Sequence, residues 1–377
     1  MNRVKPLWIV YSAHWDLAEQ MALSDIVSLT QAEIPVHLFC LEGSPTHAAA
    51  LRHPHLKITS FPLTNIHFFN HHFIKKLREV LINERINLVH LNEEDNLKEV
   101  FFSLYGFSKI AFVYSQYYTF SKRNLFSLFP IYLRRAHRIL LSNQKIQVHT
   151  LDRFLISRNK FEIVAPGVDS SRFDPAHSQG TQLRIQWGAD KDTIVIGTIG
   201  KLAPDMMQDV FLKAAAGLLK YTDRKMKFVI VDEEPLVAVE EYVQELNNLV
   251  KIFRMEEVVT FSTLGDNLPD VLYAFDVFVM CGTSEAFSLR ALEALSMERP
   301  VLLPKSFGNS TILGNNQFGF NIKTRDAFDL QQKILILLNN PSQRLAMGLA
   351  GRKQILQNFD KKKRLEKLLE IYGQVLS

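Results

Sequence analysis

Two glutamates bracket the segment SEAFSLRALEAL, which covers residues 284–295 of a chain of 377 residues. Glu285 precedes the apolar part of this segment and Glu293 lies two helical turns later. At about 100° per residue the two side chains would stand about 80° apart around one helix, so they would not share a face. The sequence instead favours Glu285 at the end of a loop, with a helix that begins near Phe287 and ends near Met297. The buried stripe of this helix would be formed by its leucines, Leu289, Leu292 and Leu295.

This arrangement predicts a site for a ligand that carries both phosphate and hydroxyl groups. Glu285 would lie beside the free N–H groups of the first helical turn, where a phosphate can also bind. Glu293 would accept hydrogen bonds from paired hydroxyls, because a carboxylate is a good bidentate acceptor. The spacing therefore suits a nucleotide-sugar. On spacing alone an alternative stays open, in which Glu285 only complements the helix dipole and Glu293 is solvated.

The elements that must position these residues follow a strand–helix alternation. Apolar strand candidates such as LWIVYS and INLVHL are separated by segments of helical period, and the pattern restarts at TIVIGTIGKL. Between the two halves lies APGVDSSRFDPAHSQGTQLR, whose Pro, Gly, Ser and Asp content is typical of a linker. We expect an α/β protein with two doubly wound sheets that are joined near residue 170 and face a central ligand cleft.

Composition narrows the class of protein. The hydrophobic fraction of 47% and the two cysteines, Cys40 and Cys281, indicate a globular protein of a reducing compartment. The first residues, MNRVKPLWIVYS, favour a buried strand over a signal peptide, and no apolar run approaches the roughly 18 residues of a spanning helix. We therefore expect a cytoplasmic location. The net charge of +5 fits an anionic ligand, and we expect no nucleic-acid partner.

A basic aromatic stretch near residues 120–138 raises the hypothesis of peripheral attachment to the inner membrane face. Its alternative is an internal core helix with a basic edge. His67 and His71 have a spacing that can bind zinc, but no Cys or carboxylate lies at a matching distance, so we expect no metal site. After the strand INLV, the acidic group of Glu93, Glu94 and Asp95 resembles a catalytic acid cluster. A turn capped by Asn and Asp is the commoner explanation of such a group.

Five motifs in a common order resemble the glycosyltransferase group 1 family, whose members are retaining enzymes of GT-B fold that take sugars from nucleotide-sugars. The segment EAFSLRALEALSMERPVL resembles the family's E-x7-E element, and PGVDSSRFDP resembles the family's linker NGVDxxxFxP. Further family segments are matched by LPDVLYAFDVFVMCGTSEAFSL, RRAHRILLSNQ and GNNQFGFNI. The resemblance covers most of the chain.

The resemblance implies two Rossmann-like domains that face a central cleft. Residues 1–168 would form the acceptor-side domain, residues 169–356 the nucleotide-sugar domain, and residues 357–377 a helix that packs back toward the first domain. The implied catalytic residues are Glu285 and Gln116. The implied donor-binding residues are Lys201, Phe287, Ser288, Leu289 and Glu293, and an acceptor-side loop contains Ser12 and His14. No cofactor and no metal are implied, since the nucleotide-sugar is a substrate.

Several positions depart from the family pattern. In the segment GKLAPDMM, Lys201 takes the place of the family's Arg, whereas Met206 takes the place of its Lys and supplies no charge. Negative charge in the segment VDEEP would repel a diphosphate at short range. The acidic residues there are Asp232, Glu233 and Glu234, and the other replacements of small residues are Ala286, Ser288 and Glu298.

Two functions follow from these observations. The first is a retaining hexosyltransferase that moves a sugar from a nucleotide-sugar to a glycan or lipid-linked acceptor, in the synthesis of a cell-surface polysaccharide or lipopolysaccharide. The second is a catalytically impaired, glycosyltransferase-like binding or partner subunit. The departures at Met206 and in the segment VDEEP are what keep the second function open.

Overall fold

The computed structural model describes residues 4–63, 70–92, 94, 96–119, 128–233, 238–265, 267–282 and 287–377. The chain divides into two compact units, the first made of residues 1–167 together with 361–377 and the second of residues 168–360. The chain therefore passes from one unit to the other twice, once beside the predicted linker and once near its C-terminal end.

The first unit is an α/β structure. Its strands are β1 (Pro6–Val10), β2 (His37–Leu41), β3 (Lys57–Phe61), β4 (Leu88–Asn92), β5 (Ala111–Gln116), β6 (Arg138–Leu141) and β7 (Phe161–Ile163). Its helices are α1 (Leu17–Gln31), α2 (Pro45–Ala50), α3 (His71–Asn83), α4 (Leu97–Ser103), α5 (Phe129–Leu133), α6 (Gln144–Arg153) and the last helix of the chain, α15 (Lys361–Leu376). The strands form one parallel sheet in the order β3-β2-β1-β4-β5-β6-β7.

The second unit repeats this plan. Its strands are β8 (Ile194–Ile199), β9 (Met226–Asp232), β10 (Val259–Thr263), β11 (Val277–Val279), β12 (Val301–Pro304) and β13 (Gly319–Ile322). Its helices are α7 (Gly180–Gln186), α8 (Gln208–Leu218), α9 (Glu240–Ile252), α10 (Leu268–Ala274), α11 (Leu289–Ser296), α12 (Phe307–Leu313), α13 (Ala327–Asn339) and α14 (Pro341–Gln354). The sheet order is β10-β9-β8-β11-β12-β13, again with parallel neighbours.

Both sheets reverse their strand order beside the first strand of the unit, between β1 and β4 and between β8 and β11. This is the doubly wound Rossmann arrangement, in which ligands bind at the carboxyl ends of the strands beside the reversal. Every residue of β1, β2, β4 and β8 is buried, as expected for parallel strands that are covered by helices on both faces. The predicted α/β class with two doubly wound sheets is confirmed.

A buried arginine helps to anchor α15 in the first unit. Arg364 donates two hydrogen bonds to the Asp25 carboxylate of α1, at 2.8 and 2.7 Å, and one to the Tyr117 hydroxyl at 2.7 Å. It also donates to the backbone oxygens of Val164 and Ala165. Burial by itself would lower the pKa of Arg364, but the Asp25 carboxylate raises that pKa above its usual value. The helix begins at Lys361, four residues after the start of the predicted segment 357–377.

Glu298 lies at the end of α11 that is opposite to the helix N-terminus. It follows the C-cap residue Met297 and has a left-handed backbone, with φ of 62°. Glycine is common at this position because it has no Cβ penalty there. The eight residues of α11 span about 12 Å, so Glu298 is remote from the first turn of the helix. Its departure from the family pattern therefore concerns the end of a helix, not the residues that would bind a phosphate.

Glu298→Gly is expected to stabilise the second unit by about 1 kcal/mol, since a left-handed backbone costs a side-chain-bearing residue about 1–2 kcal/mol. The greater freedom of glycine in the unfolded chain offsets part of this gain. Thermal unfolding should show a rise in Tm of about 2–4 °C. Glu298→Ala is the matched control, because it removes the 3.9 Å contact of the carboxylate with Arg352 and keeps the backbone conformation. An equal rise in both variants would contradict the backbone explanation.

Candidate active site

Residues 287–295, the described part of the segment SEAFSLRALEAL, lie at the strand reversal of the second sheet. β8 leads into Gly200 and Lys201, and the chain leaves the neighbouring strand β11 and enters α11. Because carboxyl ends of parallel neighbours meet at one edge of a sheet, the loop after β8 and the start of α11 lie together. Glu285 falls outside the described residues, so its predicted catalytic role stays a prediction.

The first turn of α11 can receive an anion. The Ser288 hydroxyl accepts a hydrogen bond from the Ala291 N–H at 3.2 Å and so caps the helix. Helix geometry leaves the N–H groups of Ser288, Leu289 and Arg290 without an acceptor inside the helix, and they carry the positive end of its dipole. The serine that replaces a family glycine is therefore a functional N-cap, and it leaves three donors for an external group.

The observed helix is shorter than the predicted one. It begins at Leu289 rather than near Phe287, because the extended Ser288 serves as its cap. Phe287 is buried before the cap and packs against Phe359, with ring centroids 6.0 Å apart. Leu292 and Leu295 are fully buried as predicted, whereas Leu289 is only half-buried.

Glu293 is 6% exposed, so the interpretation that places it in solvent is wrong. Its Oε2 accepts a hydrogen bond from Nη1 of Arg290 at 2.6 Å, one turn earlier on the same helix. Burial raises the pKa of Glu293, and the guanidinium of Arg290 opposes this by favouring the ionised form. The helix and Arg290 together hold this carboxylate in one orientation.

Arg290 is the functional candidate that the sequence analysis missed. Its Nη2 donates to the carboxylate of Glu233, which directly follows β9. Burial would lower the pKa of Arg290, but the carboxylates of Glu293 and Glu233 raise it. Because β8 lies between β9 and β11, this guanidinium crosses the carboxyl end of β8. The spacing of Arg290 and Glu293 on one helix face was a readable signal, whereas the contact with Glu233 depends on the sheet order.

The acidic loop after β9 is therefore only partly repulsive toward an anion. Glu233 is paired with Arg290, so part of its charge is offset, although the same guanidinium also pairs with Glu293. Asp232 is buried as the last residue of β9. Glu234 falls outside the described residues.

The loop after β8 contains Lys201, the predicted cation, and Met206, which takes the place of the family's charged lysine. Nζ of Lys201 lies 3.1 Å from the carboxylate of Asp205, so its charge is shared with an internal partner. The methyl group of Met206 packs against Gly200, at the end of β8. A Cβ on Gly282, which follows β11, would come within 3.0 Å of the backbone of Asp205 and Met206. Met206 thus covers the strand ends with apolar surface where the family has a lysine.

The predicted residues of the first unit lie at the carboxyl edge of its sheet. Gln116 ends β5, is 2% exposed, and its Oε1 accepts a hydrogen bond from the Tyr114 hydroxyl. Ser12 and His14 follow β1, and the Ser12 hydroxyl accepts from the His14 N–H at 3.0 Å. β4 separates β1 from β5, so the structure brings the three residues to one edge without direct adjacency. Their catalytic and acceptor roles stay predictions.

Among the residues that the structure describes, no group of three or more His, Cys, Asp or Glu side chains could hold a metal ion. His67, Glu93 and Asp95, which the sequence analysis considered, lie outside those residues. The expectation of a metal-independent site stays a prediction.

Comparisons with known proteins match both units to sugar-transferring families. The family model described as "Glycosyl transferases group 1" matches residues 180–354, and the model described as "Glycosyltransferase Family 4" matches residues 20–172. The crystal structure of Anabaena Alr3699/HepE in complex with UDP has a TM-score of 0.84 and 18% identity, and the match covers 98% of this chain and 100% of that chain. At this identity the likeness concerns the fold.

Two relatives align with somewhat more than half of the chain. A D-inositol 3-phosphate glycosyltransferase of Saccharomonospora viridis is 26% identical over 57% of this chain and 50% of that protein. A UDP-Gal:alpha-D-GlcNAc-diphosphoundecaprenol alpha-1,3-galactosyltransferase of Escherichia coli is 24% identical over 62% of this chain and 59% of that protein. The chain thus spans about half the length of the curated relatives that it matches. From these matches and the two doubly wound sheets, we conclude that the chain belongs to the glycosyltransferase group 1 family and has the GT-B fold.

Proposed function

We propose that this protein transfers a sugar from a nucleotide-sugar donor to a glycan or lipid-linked acceptor, with retention of the anomeric configuration. The observation that carries the proposal is the buried carboxylate of Glu293, which Arg290 orients on the helix that follows β11. A buried carboxylate is costly unless it is paired. The pairing therefore supports a role for Glu293 beyond that of a solvated helix residue.

The donor would bind at the carboxyl edge of the second sheet. Its diphosphate would accept hydrogen bonds from the N–H groups of Leu289 and Arg290 at the start of α11, with Lys201 nearby as a cation. Glu293 lies one turn further along the helix, and Oε2 already accepts from Arg290. A ribose hydroxyl would therefore approach Oε1. Glu285 and Gln116 are proposed to contact the donor sugar.

The transfer itself exchanges two bonds to the anomeric carbon. The bond from this carbon to the diphosphate oxygen breaks, and the acceptor hydroxyl oxygen forms the new bond on the same face of the sugar. The acceptor proton passes to the departing nucleoside diphosphate, so charge and atoms balance. Fixed cations and N–H groups lower the barrier, because they stabilise the negative charge that develops on the leaving group.

The names of the relatives support a choice of substrates to examine first. The relative of Escherichia coli names UDP-Gal as its donor and a diphosphoundecaprenol-linked acceptor. The Anabaena structure was determined with UDP. We therefore propose a UDP-sugar as the first donor class and a lipid-linked glycan as the first acceptor class, with a role in cell-surface polysaccharide or lipopolysaccharide synthesis.

Specific contacts favour the second candidate, an impaired glycosyltransferase-like binding subunit. Met206 supplies no charge, the charge of Lys201 is shared with Asp205, and Arg290 is occupied by Glu233. Each of these three features weakens the positive field that a leaving diphosphate needs. The two candidates differ in one observable, since only the enzyme turns over a bound donor.

Calorimetry with UDP-, GDP- and ADP-sugars tests the proposal, with release of nucleoside diphosphate as the measure of turnover. The expected result is binding of one class and faster release when a lipid-linked glycan acceptor is added. Binding without acceptor-dependent release would favour the binding subunit. No binding across the whole panel would contradict the proposed donor site itself.

We also propose a cytoplasmic protein that attaches peripherally to the inner membrane face. Among the described residues, no helix is long and apolar enough to cross a membrane. On α5 and just before it, Ile131 and Leu128 are exposed and lie close to Arg134 in the chain, a composition that suits an anionic lipid surface. Co-sedimentation with anionic liposomes that weakens at high salt would support attachment, and none at low salt would exclude it.

A further inference from the structure

Three charged side chains form a compact cluster at the edge of the second sheet. Nη1 of Arg290 bonds Oε2 of Glu293 at 2.6 Å, and Nη2 bonds the carboxylate of Glu233. The cluster has one guanidinium for two carboxylates, so its charge is not balanced internally. Nε of Arg290 is buried and has no hydrogen-bond partner among the described residues. Nε–H is thus the one donor position of this guanidinium that neither carboxylate uses.

The position of the cluster relates it to the start of α11. Arg290 is in the first turn of this helix, where the unpaired N–H groups lie. The backbone N–H of Glu233 donates to the Gly200 oxygen at 3.4 Å, which brings Glu233 to the end of β8. Lys201 is the next residue of the chain. An anion at this helix terminus would therefore lie at the same sheet edge as Arg290 and the backbone of Lys201.

The two carboxylates are held differently. Glu293 is inside a regular helix and its side chain is 8% exposed, whereas the Glu233 side chain follows the end of β9 and is 23% exposed. A carboxylate at a strand end can leave with a change of side-chain rotamer, at a smaller cost than the unpacking of a buried helix residue. The planar fork of arginine donates hydrogen bonds to a phosphate as readily as to a carboxylate.

We propose that Arg290 is the second cation for the donor diphosphate and that Glu233 occupies it until the donor binds. The inference rests on the proposed function. When the donor enters, a phosphate oxygen replaces the Glu233 carboxylate on Nη2 while Glu293 keeps Nη1. Arg290 thereby supplies, from the helix after β11, the charge that is missing at Met206 after β8. Glu233 is an internal competitor of the donor and sets its affinity.

The test is a double-mutant cycle on nucleoside diphosphate affinity. UDP, GDP and ADP are titrated into the full chain by calorimetry, and the tightest of the three is then titrated into the variants. Glu233→Gln should bind it about 5- to 10-fold more tightly, and Arg290→Gln about 10- to 100-fold more weakly. Lys225→Gln removes an exposed cation at the opposite, amino end of β9 and should leave the affinity unchanged.

The double variant separates displacement from general charge repulsion. If Glu233 competes for Arg290, the gain from Glu233→Gln should disappear in the Arg290→Gln background. An undiminished gain in that background would overturn the inference. Glu233→Gln keeps the contact of Arg290 with Glu293, so it stays informative if Arg290→Gln fails to fold.

The failure of this inference differs from the failure of the proposed function. If the wild-type protein binds a diphosphate but Glu233→Gln, Arg290→Gln and Lys225→Gln all bind it equally, the role of Arg290 is wrong and the donor site stands. If the wild-type protein binds none of the three diphosphates at millimolar concentration, the role of Arg290 and the proposed donor site are both wrong. Thermal unfolding of every variant provides the folding control.

Discussion

Replacement of Arg364 by alanine is expected to lower the free energy of unfolding of the first unit by about 3–5 kcal/mol, the range for breaking a buried ion pair. The side chains of Arg364 and Asp25 are each 5% exposed, so the Asp25 carboxylate would be left buried without its cation. The backbone oxygens of Val164 and Ala165 would each lose a donor as well. Urea unfolding followed by circular dichroism measures the loss.

Two further variants test whether the buried pair is responsible for this loss. Lys367→Ala removes a cation of the same helix that is 35% exposed and pairs with Glu162 and Glu370, and it should cost at most about 1 kcal/mol. Adding Asp25→Asn to Arg364→Ala should recover part of the stability, since it removes the uncompensated charge. A loss from Arg364→Ala that is no larger than that from Lys367→Ala would contradict the anchoring role.

Glu293→Gln is expected to weaken donor binding and to lower kcat/KM by about 10- to 100-fold, which corresponds to the loss of one charge-assisted hydrogen bond. The amide has the shape of the carboxylate, and its oxygen can still accept the bond from Arg290. It presents a weaker acceptor to a ribose hydroxyl. Calorimetry with the donor and a turnover assay measure the two effects.

The matched control for this substitution is Glu298→Gln, on the same chain segment but beyond the C-terminal end of α11. It removes the same charge from a residue that contacts Arg352 at 3.9 Å. It should leave donor binding and turnover unchanged. If the two substitutions change donor binding and turnover equally, the assignment of the ribose to Glu293 is wrong. If only Glu293→Gln lowers the Tm, its effect is on folding.

The architecture could be predicted because its signals are local. Strands such as LWIV and TIVIGTI are buried on both faces, so they are continuous apolar runs that stand out between helices of clear period. The predicted start of α11 is two residues too early, because Ser288 caps the helix. A cap depends on the backbone geometry of one residue, which the sequence pattern does not show. The E-x7-E element could be located from the family resemblance because the element is continuous in the chain.

The site could be predicted only in part. Glu293 and the first turn of α11 were identified from one continuous segment, and Lys201 from a second. Arg290 was visible on the same helix face as Glu293, but nothing local connects it to Glu233, which is 57 positions earlier in the chain. The sequence pattern groups Glu298 with the replaced small residues of the donor site. The structure places it at the C-terminal end of α11 with a left-handed backbone, so its replacement concerns the end of the helix.

Patterning along the chain was sufficient for the α/β class, for the repetition of the doubly wound plan and for the family, because periodicity and motif spacing are carried by neighbouring residues. The pairing of charges at the site depends on the strand order, in which β8 lies between β9 and β11. That order brings Glu233, at the end of β9, to the start of α11, so that Glu233 forms an ion pair with Arg290. Charges interact through distance in space, and distance between residues far apart in sequence is set by strand order.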